Sequence, residues 1–274
     1  MESFDLKELQ AVELEILLEI DRICKKHQIR YFLCAGTLLG AVRHQGFIPW
    51  DDDVDLHMTL SEYQRFCKAA KKEMKEPYFL QNYRTDHTHR RFCKVRKSGT
   101  TFIEKGYERS DMHQGVWVDI FPLVGVKEDA RWLQRTNRII RFFDVILKKR
   151  MENLPWRERS AASRLVRLIP LPVVRVAVSA AYGLLLKDYD RYGKCCELTG
   201  ARTITAQFDS SLFADTVDVQ FEGFVFPAPK EWDRLLTMTY GDYMTPPPPE
   251  KRNGGDHEIA FIDLEHDFRE RRGF

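Results

Sequence analysis

The sequence predicts an α+β fold, and three observations carry that expectation. A long amphipathic helical period opens the chain, short strand-like runs follow it, and a basic helical stretch separates these from further strand-like segments. With 274 residues the chain can bury a substantial core, since a protein near this size removes about 75% of its unfolded surface from water. Charged residues at 31% and hydrophobic residues at 43% are ordinary globular composition and exclude a wholly disordered chain.

Residues 5–29 read as a helix because Leu9, Val12, Ile16, Ile20 and Ile23 recur at spacings of three and four. Acidic residues crowd its first half and Arg22, Lys25 and Lys26 its end, as the helix dipole favours. Tyr31 to Cys34 fits a short strand. Gly36 breaks it, and Thr37 to Arg43 reads as a helix. Gly46, Pro49 and the run Asp51 to Asp53 make a loop, and Val54 to Met58 resumes as a strand. Ser61 and Glu62 open a helix that runs to about Lys75. Residues 78–104 alternate enough for two strands turning at Ser98-Gly99, and Gly115 to Phe121 is a strand ended by Pro122. Residues 131–199 are helical and basic, in two amphipathic stretches separated near Pro155. Strand patterning returns over 203–226, a short helix follows over 229–240, and Pro246 to Pro249 stiffen the approach to the tail. The expected organisation is a catalytic core over 1–130, a basic helical insertion over 131–199, and a segment over 200–274 that completes the core.

The first residues mix charges with apolar side chains, so no export signal is read there, and a cytoplasmic location is expected. The six cysteines form no CxxC pair, which argues against a zinc site and for reduced, buried thiols. The apolar tract Leu165 to Leu186 is interrupted by Arg167, Pro170, Pro172 and Arg175. It is too broken to span a bilayer, which takes about 20 apolar residues.

The chemistry concentrates in Gly36 to Met58, GTLLGAVRHQGFIPWDDDVDLHM. On a strand, Asp53 and Asp55 point to one face while Val54 and Leu56 point to the other. Two carboxylates so placed repel unless a cation lies between them, and one or two carboxylates plus phosphate oxygens are how proteins hold Mg²⁺. Asp119 stands alone among large apolar residues in Val116 to Phe121, so it needs a partner or a metal. If its strand adjoins that of Asp55, the three carboxylates converge. Gly36-Thr37, between strand and helix, offers backbone N–H groups to a phosphate. Arg43 and His44 add positive charge further down that helix. Asp51 and Asp52 are read as a turn or cap.

These residues resemble the signature of the LicD family, a branch of the nucleotidyltransferase-fold superfamily. Gly36-Thr37, Asp53-x-Asp55 and Asp119 match in type and order. Lys94 and Arg96 fall in a basic strand of that pattern, and Phe221 to Pro229, Tyr240 to Pro247 and Arg252 resemble its C-terminal elements. The resemblance covers roughly residues 10–125 and 215–257 and implies a mixed-sheet core flanked by helices. It also implies Mg²⁺-dependent, or Mn²⁺-dependent, transfer of a phospho-alcohol from a CDP-linked donor to a glycan hydroxyl such as those of teichoic acid or lipopolysaccharide. Phosphocholine is the expected group, and the acceptor is anionic or lipid-linked. Asp53, Asp55 and Asp119 would be catalytic and metal-binding. Gly36, Thr37, Arg43, His44, Trp50, Lys94, Tyr243 and Arg252 would bind the donor. Trp50, Trp117, Tyr240 and Tyr243 are candidates to wall a choline head group by cation–π attraction, and Trp50 could equally stack on cytosine. Two alternatives stand: nucleotidyl transfer with release of pyrophosphate, and an inactive membrane-docked adaptor.

The whole-chain charge of +2 conceals an asymmetry. Residues 131–175 hold twelve basic and three acidic side chains, a net +9, which leaves the remainder at −7. With Trp132, Ile139, Ile140, Phe142, Phe143, Ile146 and Leu147 interleaved, the stretch reads as an interfacial helix for peripheral contact with the inner face of a membrane. It could also bind a polyanionic glycopolymer acceptor, and it reads equally as a solvated helical cover for the sheet. No nucleic-acid motif accompanies the charge.

Overall fold

The computed structural model describes residues 4–151, 157, 159–186, 191–198, 207–252 and 257–270. Pro155 and residues 203–206, part of the sequence-based expectations, lie outside these.

The chain opens with α1 (Leu6–His27), capped by the Asp5 carboxylate on Lys7 N–H, and continues through β1 (Phe32–Leu33), α2 (Ala35–His44), β2 (Asp55–Thr59) and α3 (Leu60–Glu73). The strands β3 (Tyr78–Gln81), β4 (Cys93–Lys97), β5 (Thr101–Glu104) and β6 (Trp117–Val126) follow. The helices α4 (Ala130–Met151), α5 (Ala161–Val166) and α6 (Leu171–Leu185) lead to β7 (Lys194–Glu197) and β8 (Phe208–Asp209). A hairpin of β9 (Thr216–Phe221) and β10 (Phe224–Pro229), then α7 (Trp232–Tyr240) and β11 (Ile259–Asp263), complete the described elements.

The main sheet runs β1-β2-β6-β4-β3, with β7 also on β6 and β8 on β7. The β2–β6 pair is parallel and the others antiparallel, which makes the sheet mixed and the class α+β as expected. Helices α1 and α3 pack against this sheet, and their apolar faces, Leu9, Ile16, Leu17, Ile20 and Ile23 with Phe66 and Ala70, join the main core.

Several boundaries differ from the sequence expectation for identifiable reasons. Residues 78–104 form three strands, and the Ser98-Gly99 turn joins two sheets, because β5 pairs with β11. Pro122 lies inside β6 rather than ending it. It sits where pairing with β4 has stopped at Ile120 and pairing with β7 begins at Leu123, a gap that requires no N–H donor. Residues 194–197, read as part of the helical stretch, form β7 and extend the main sheet. Among the described residues the helical stretch holds the three α-helices α4, α5 and α6, built over a second core. There Ile140 and Leu147 of α4 meet Val174, Val178 and Tyr182 of α6 and Val124 and Val126 of β6. One apolar side of α4 therefore covers protein, while Ile139, Phe142 and Val145 are exposed. All six cysteines are free, and five are buried. Among the described residues no helix is long and apolar enough to cross a membrane.

Candidate active site

The site forms where three neighbouring strands bring polar residues to one level. The parallel register sets Asp55 beside Asp119, and the antiparallel register sets Lys94 on the other side of Asp119. Paired residues share a face, so Asp55, Asp119 and Lys94 line one row. Val54 O accepts from Asp119 N–H at 2.9 Å, which carries the ladder back toward Asp53. The alternation read from sequence holds: Val54 and Leu56 are fully buried, whereas Asp53 and Asp55 reach partial exposure.

Asp119 is 4% exposed. Its Oδ2 accepts from Lys94 Nζ at 2.9 Å and from Trp117 Nε1 at 3.2 Å, while Oδ1 is buried without a hydrogen-bond partner among the described residues. Lys94 is itself 1% exposed and lies 3.8 Å from the Trp117 ring centroid. Burial pulls its ammonium down to about 7 against the attraction of Asp119. Lys94, expected to meet a donor phosphate, pairs with Asp119 in this structure.

Burial pushes Asp53 up to about 6, opposed by His257 and assisted by Asp52 and Asp119. Asp55 is raised well above the ordinary carboxylate value by burial, then by Asp53, Asp119 and Glu197. These shifts describe carboxylates with too little compensating charge. Among the described residues, the carboxylate group with ligand atoms within 4.8 Å of one another is Asp51, Asp52 and Asp53. Asp51 and Asp52 were expected only to shape the turn, and the structure brings them into the acidic cluster.

Two further residues join, neither singled out by sequence reasoning. Glu13 of α1 is 2% exposed with Oε2 unpartnered, and burial followed by Asp53, Asp52, Asp51 and Asp55 raises its carboxyl. Its signal was an acid at an i+4 position on the apolar stripe, between Leu9 and Leu17. His257 approaches Asp52 at 3.4 Å and Asp53 at 3.9 Å and packs edge-on against Trp117 at 5.3 Å. Burial lowers His257, but bonding to Asp52 and the charge of Asp53 outweigh it and leave the ring above its ordinary value.

Gly36 lies at the start of α2, as expected, and an added Cβ would fall 2.5 Å from Asp51 Oδ2. The close approach that requires glycine is thus made by a carboxylate of the chain. Thr37 Oγ1 accepts from Asp55 N–H at 2.8 Å and so ties the helix start to the start of β2.

The remaining donor-binding candidates form a second cluster beside the first. Arg43 donates from Nε to His44 Nε2 at 2.9 Å and from Nη1 to Tyr243 O at 2.7 Å. Burial and the nearby charge of Arg252 lower its guanidinium. Arg252 stands 5.0 Å over the Trp50 ring, and His44 meets Trp50 edge-on at 6.4 Å. Arg43, His44, Trp50, Tyr243 and Arg252 are therefore brought together. The four aromatic candidates do not share one open wall. Trp117 is 3% exposed with Lys94 and Arg96 against its ring, and the Tyr243 hydroxyl donates to Asp233. Tyr240 is 43% exposed, and its phenol is raised by burial and then by Cys34 and the carboxylates Asp55, Asp51 and Asp53.

Comparison with known proteins gives this geometry a family. Residues 28–157 match the family model described as LicD/FKTN/FKRP, nucleotidyltransferase domain. The lipopolysaccharide cholinephosphotransferase LicD of Haemophilus influenzae is 28% identical over 280 residues, covering 96% of this chain and 100% of that protein. A short segment is 56% identical over 34 residues to the ribitol 5-phosphate transferase FKRP of Homo sapiens, covering 12% of this chain and 7% of that one. An uncharacterised protein of Rickettsia typhi is 40% identical over 57 residues, 20% of this chain and 18% of its own. The mixed sheet, the aligned carboxylates and these likenesses define a transferase with a nucleotidyltransferase domain. Within that class, residues 28–157 carry the domain of the LicD family, and the likeness to a LicD protein runs over nearly the whole chain.

Proposed function

We propose that this protein transfers a phospho-alcohol, phosphocholine first among them, from a CDP-linked donor to a hydroxyl of a cell-surface glycan such as lipopolysaccharide or teichoic acid. In that reaction the acceptor oxygen bonds to the phosphorus that carries the alcohol, the bond from that phosphorus to CMP breaks, and CMP leaves with the electron pair. The observation that carries the reading is the register placing Asp55 against Asp119, whose Oδ1 is buried without a partner. The full-length likeness to a cholinephosphotransferase supports the choice of group.

The residues present fit a divalent cation. Asp53, Asp55 and Asp119 would hold Mg²⁺ or Mn²⁺, because they offer hard oxygen ligands, one orphaned oxygen and raised carboxyls. When bound, such an ion neutralises charge on the diphosphate. The chain's own residues do the rest. Arg43 and Arg252 supply positive charge for the diphosphate, and Trp50, between Arg252 and His44, offers an apolar face for cytosine. Tyr240 is the exposed aromatic for a quaternary ammonium. Lys94 holds Asp119 at Oδ2, which leaves Oδ1 to ligate or to accept the acceptor's proton.

A donor screen with CDP-choline, CDP-ribitol and CDP-glycerol, in Mg²⁺ and in chelator, tests the reading. CMP release that requires the ion and prefers CDP-choline is expected. Pyrophosphate in place of CMP would favour nucleotidyl transfer, and no turnover with any donor and acceptor would favour the adaptor. Asp55→Asn should lower turnover by about 10²-fold or more and weaken the binding of Mn²⁺ measured by titration.

A further inference from the structure

The helical insertion carries a second apolar face that the fold leaves uncovered. The inner sides of α5 and α6 bury Ser163, Val174, Val178 and Tyr182. On the outer sides and in the turn between the two helices, Leu165 is 67% exposed, Leu168 75%, Ile169 43%, Val173 55% and Val176 69%. Every strongly exposed residue between 161 and 183 is Ala, Leu, Ile, Val, Pro or Gly. Single exposed apolar residues are ordinary, but a contiguous patch of this kind marks an interaction surface.

The charges around the patch specify what covers it. Arg164, Arg167 and Arg175 sit half-buried among these apolar residues. Lys148, Lys149 and Arg150 close the last turn of α4, and Arg150 Nε donates to Ile169 O at 3.1 Å. Between Val145 and Leu186 no described residue is Asp or Glu. The C-terminal half of α6, with Ser179 and Tyr182, lines a cavity of about 610 Å³ that has Lys68, Lys71, Arg84 and Arg191 in its wall. An apolar face ringed by cations complements an anionic lipid surface, with acyl chains for the apolar residues and phosphates for the arginines. A second copy would bring the same positive field against itself. At 15 residues α6 is shorter than a span requires, so it would lie on the surface.

We propose that α5 and α6 dock this protein onto an anionic bilayer, with Leu165, Leu168 and Ile169 inserted below the headgroups. This moves the centre of the contact away from the expected interfacial helix near Trp132 to Leu147: Ile140 and Leu147 of α4 pack into the second core, while Phe142 and Val145 stay exposed beside the patch's own helices. The docking is independent of whether the carboxylate site turns over.

Vesicle flotation of the full chain tests it, comparing pure phosphatidylcholine with phosphatidylcholine mixed with phosphatidylglycerol. Binding only to the anionic vesicles, weakened by salt, is expected, at about fivefold per arginine engaged. Leu168→Glu and Val176→Glu, both at exposed positions, should each weaken binding about tenfold or more with an unchanged melting transition. Asp55→Asn should float as the unaltered protein does, which separates this test from that of catalysis. Absence of flotation with anionic vesicles, equal binding to neutral ones, or binding unchanged by both substitutions would overturn the proposal. So would a dimer in sedimentation that Leu168→Glu dissolves without any effect of vesicles.

Discussion

At the scale of single residues, the site is organised by a buried pair. Lys94 and Asp119 are 1% and 4% exposed, and each accounts for the other's presence in an apolar sheet. Removing one partner leaves an uncompensated charge. Lys94→Met should therefore cost about 3–5 kcal/mol, read as a lowered urea midpoint, and should also disturb turnover because Oδ2 of Asp119 is released. A double variant Lys94→Met with Asp119→Leu should recover most of that stability and none of the activity. Asp53, Asp55 and Asp119 were legible in the sequence because carboxylates among apolar neighbours are conspicuous. Glu13 was not, because on an amphipathic helix an acid near the stripe reads as a solvated edge, and only packing of α1 against the acidic loop turns it inward.

At the scale of elements, α2 and the loop behind it set the distance between the two clusters. Gly40 allows this approach, since a Cβ there would fall on the backbone carbonyl oxygen of Gly46 and 3.1 Å from Ile48 N. Backbone cannot swing aside as a side chain can, so Gly40→Ala should cost about 1–3 kcal/mol, visible as a lower melting temperature. At Gly36 the obstruction is the carboxylate end of Asp51, which can move. Gly36→Ala should thus leave the melting temperature within about 2 °C while shifting the Mn²⁺ titration. The contrast checks that Gly36 serves the acidic cluster and Gly40 the packing. Strand and helix types in this region were readable from periodicity. The continuation of β6 through Pro122 was not, because a proline's tolerance depends on which neighbour, if any, faces its nitrogen.

For the whole molecule, the small β5–β11 sheet is anchored to the main one by an ion pair. Arg90 Nη2 donates to both Glu104 oxygens, at 2.9 and 2.7 Å, and the side chains are 17% and 14% exposed. Burial pushes the Glu104 carboxyl up, but Lys94 and Arg90 outweigh it and hold it at about 2. A carboxyl depressed in the folded state stabilises at pH above its unfolded value, near 4.5, and that contribution fades as pH falls toward 2. Glu104→Gln should therefore cost up to about 3 kcal/mol at neutral pH. It should also flatten the loss of stability between pH 4.5 and 2, measured by denaturation at several pH values. Because β11 holds the approach to His257, the same variant should weaken Mn²⁺ binding.

By itself the sequence determined the α+β class, the carboxylates and the arginine–tryptophan set, and the division of charge between an acidic core and a basic insertion. These follow from local pattern: side-chain period, turn residues, and charge counted along the chain. The tertiary structure alone decided that Lys94 pairs with Asp119, that Glu13 and His257 join the acidic cluster, and that β7 belongs to the main sheet. It also decided that the uncovered apolar face runs over α5 and α6, while α4 divides its apolar residues between the second core and solvent. The physical reason is common to all four. Which face of an element is buried, and which charge meets which, is set by partners distant in sequence, and no local periodicity encodes them.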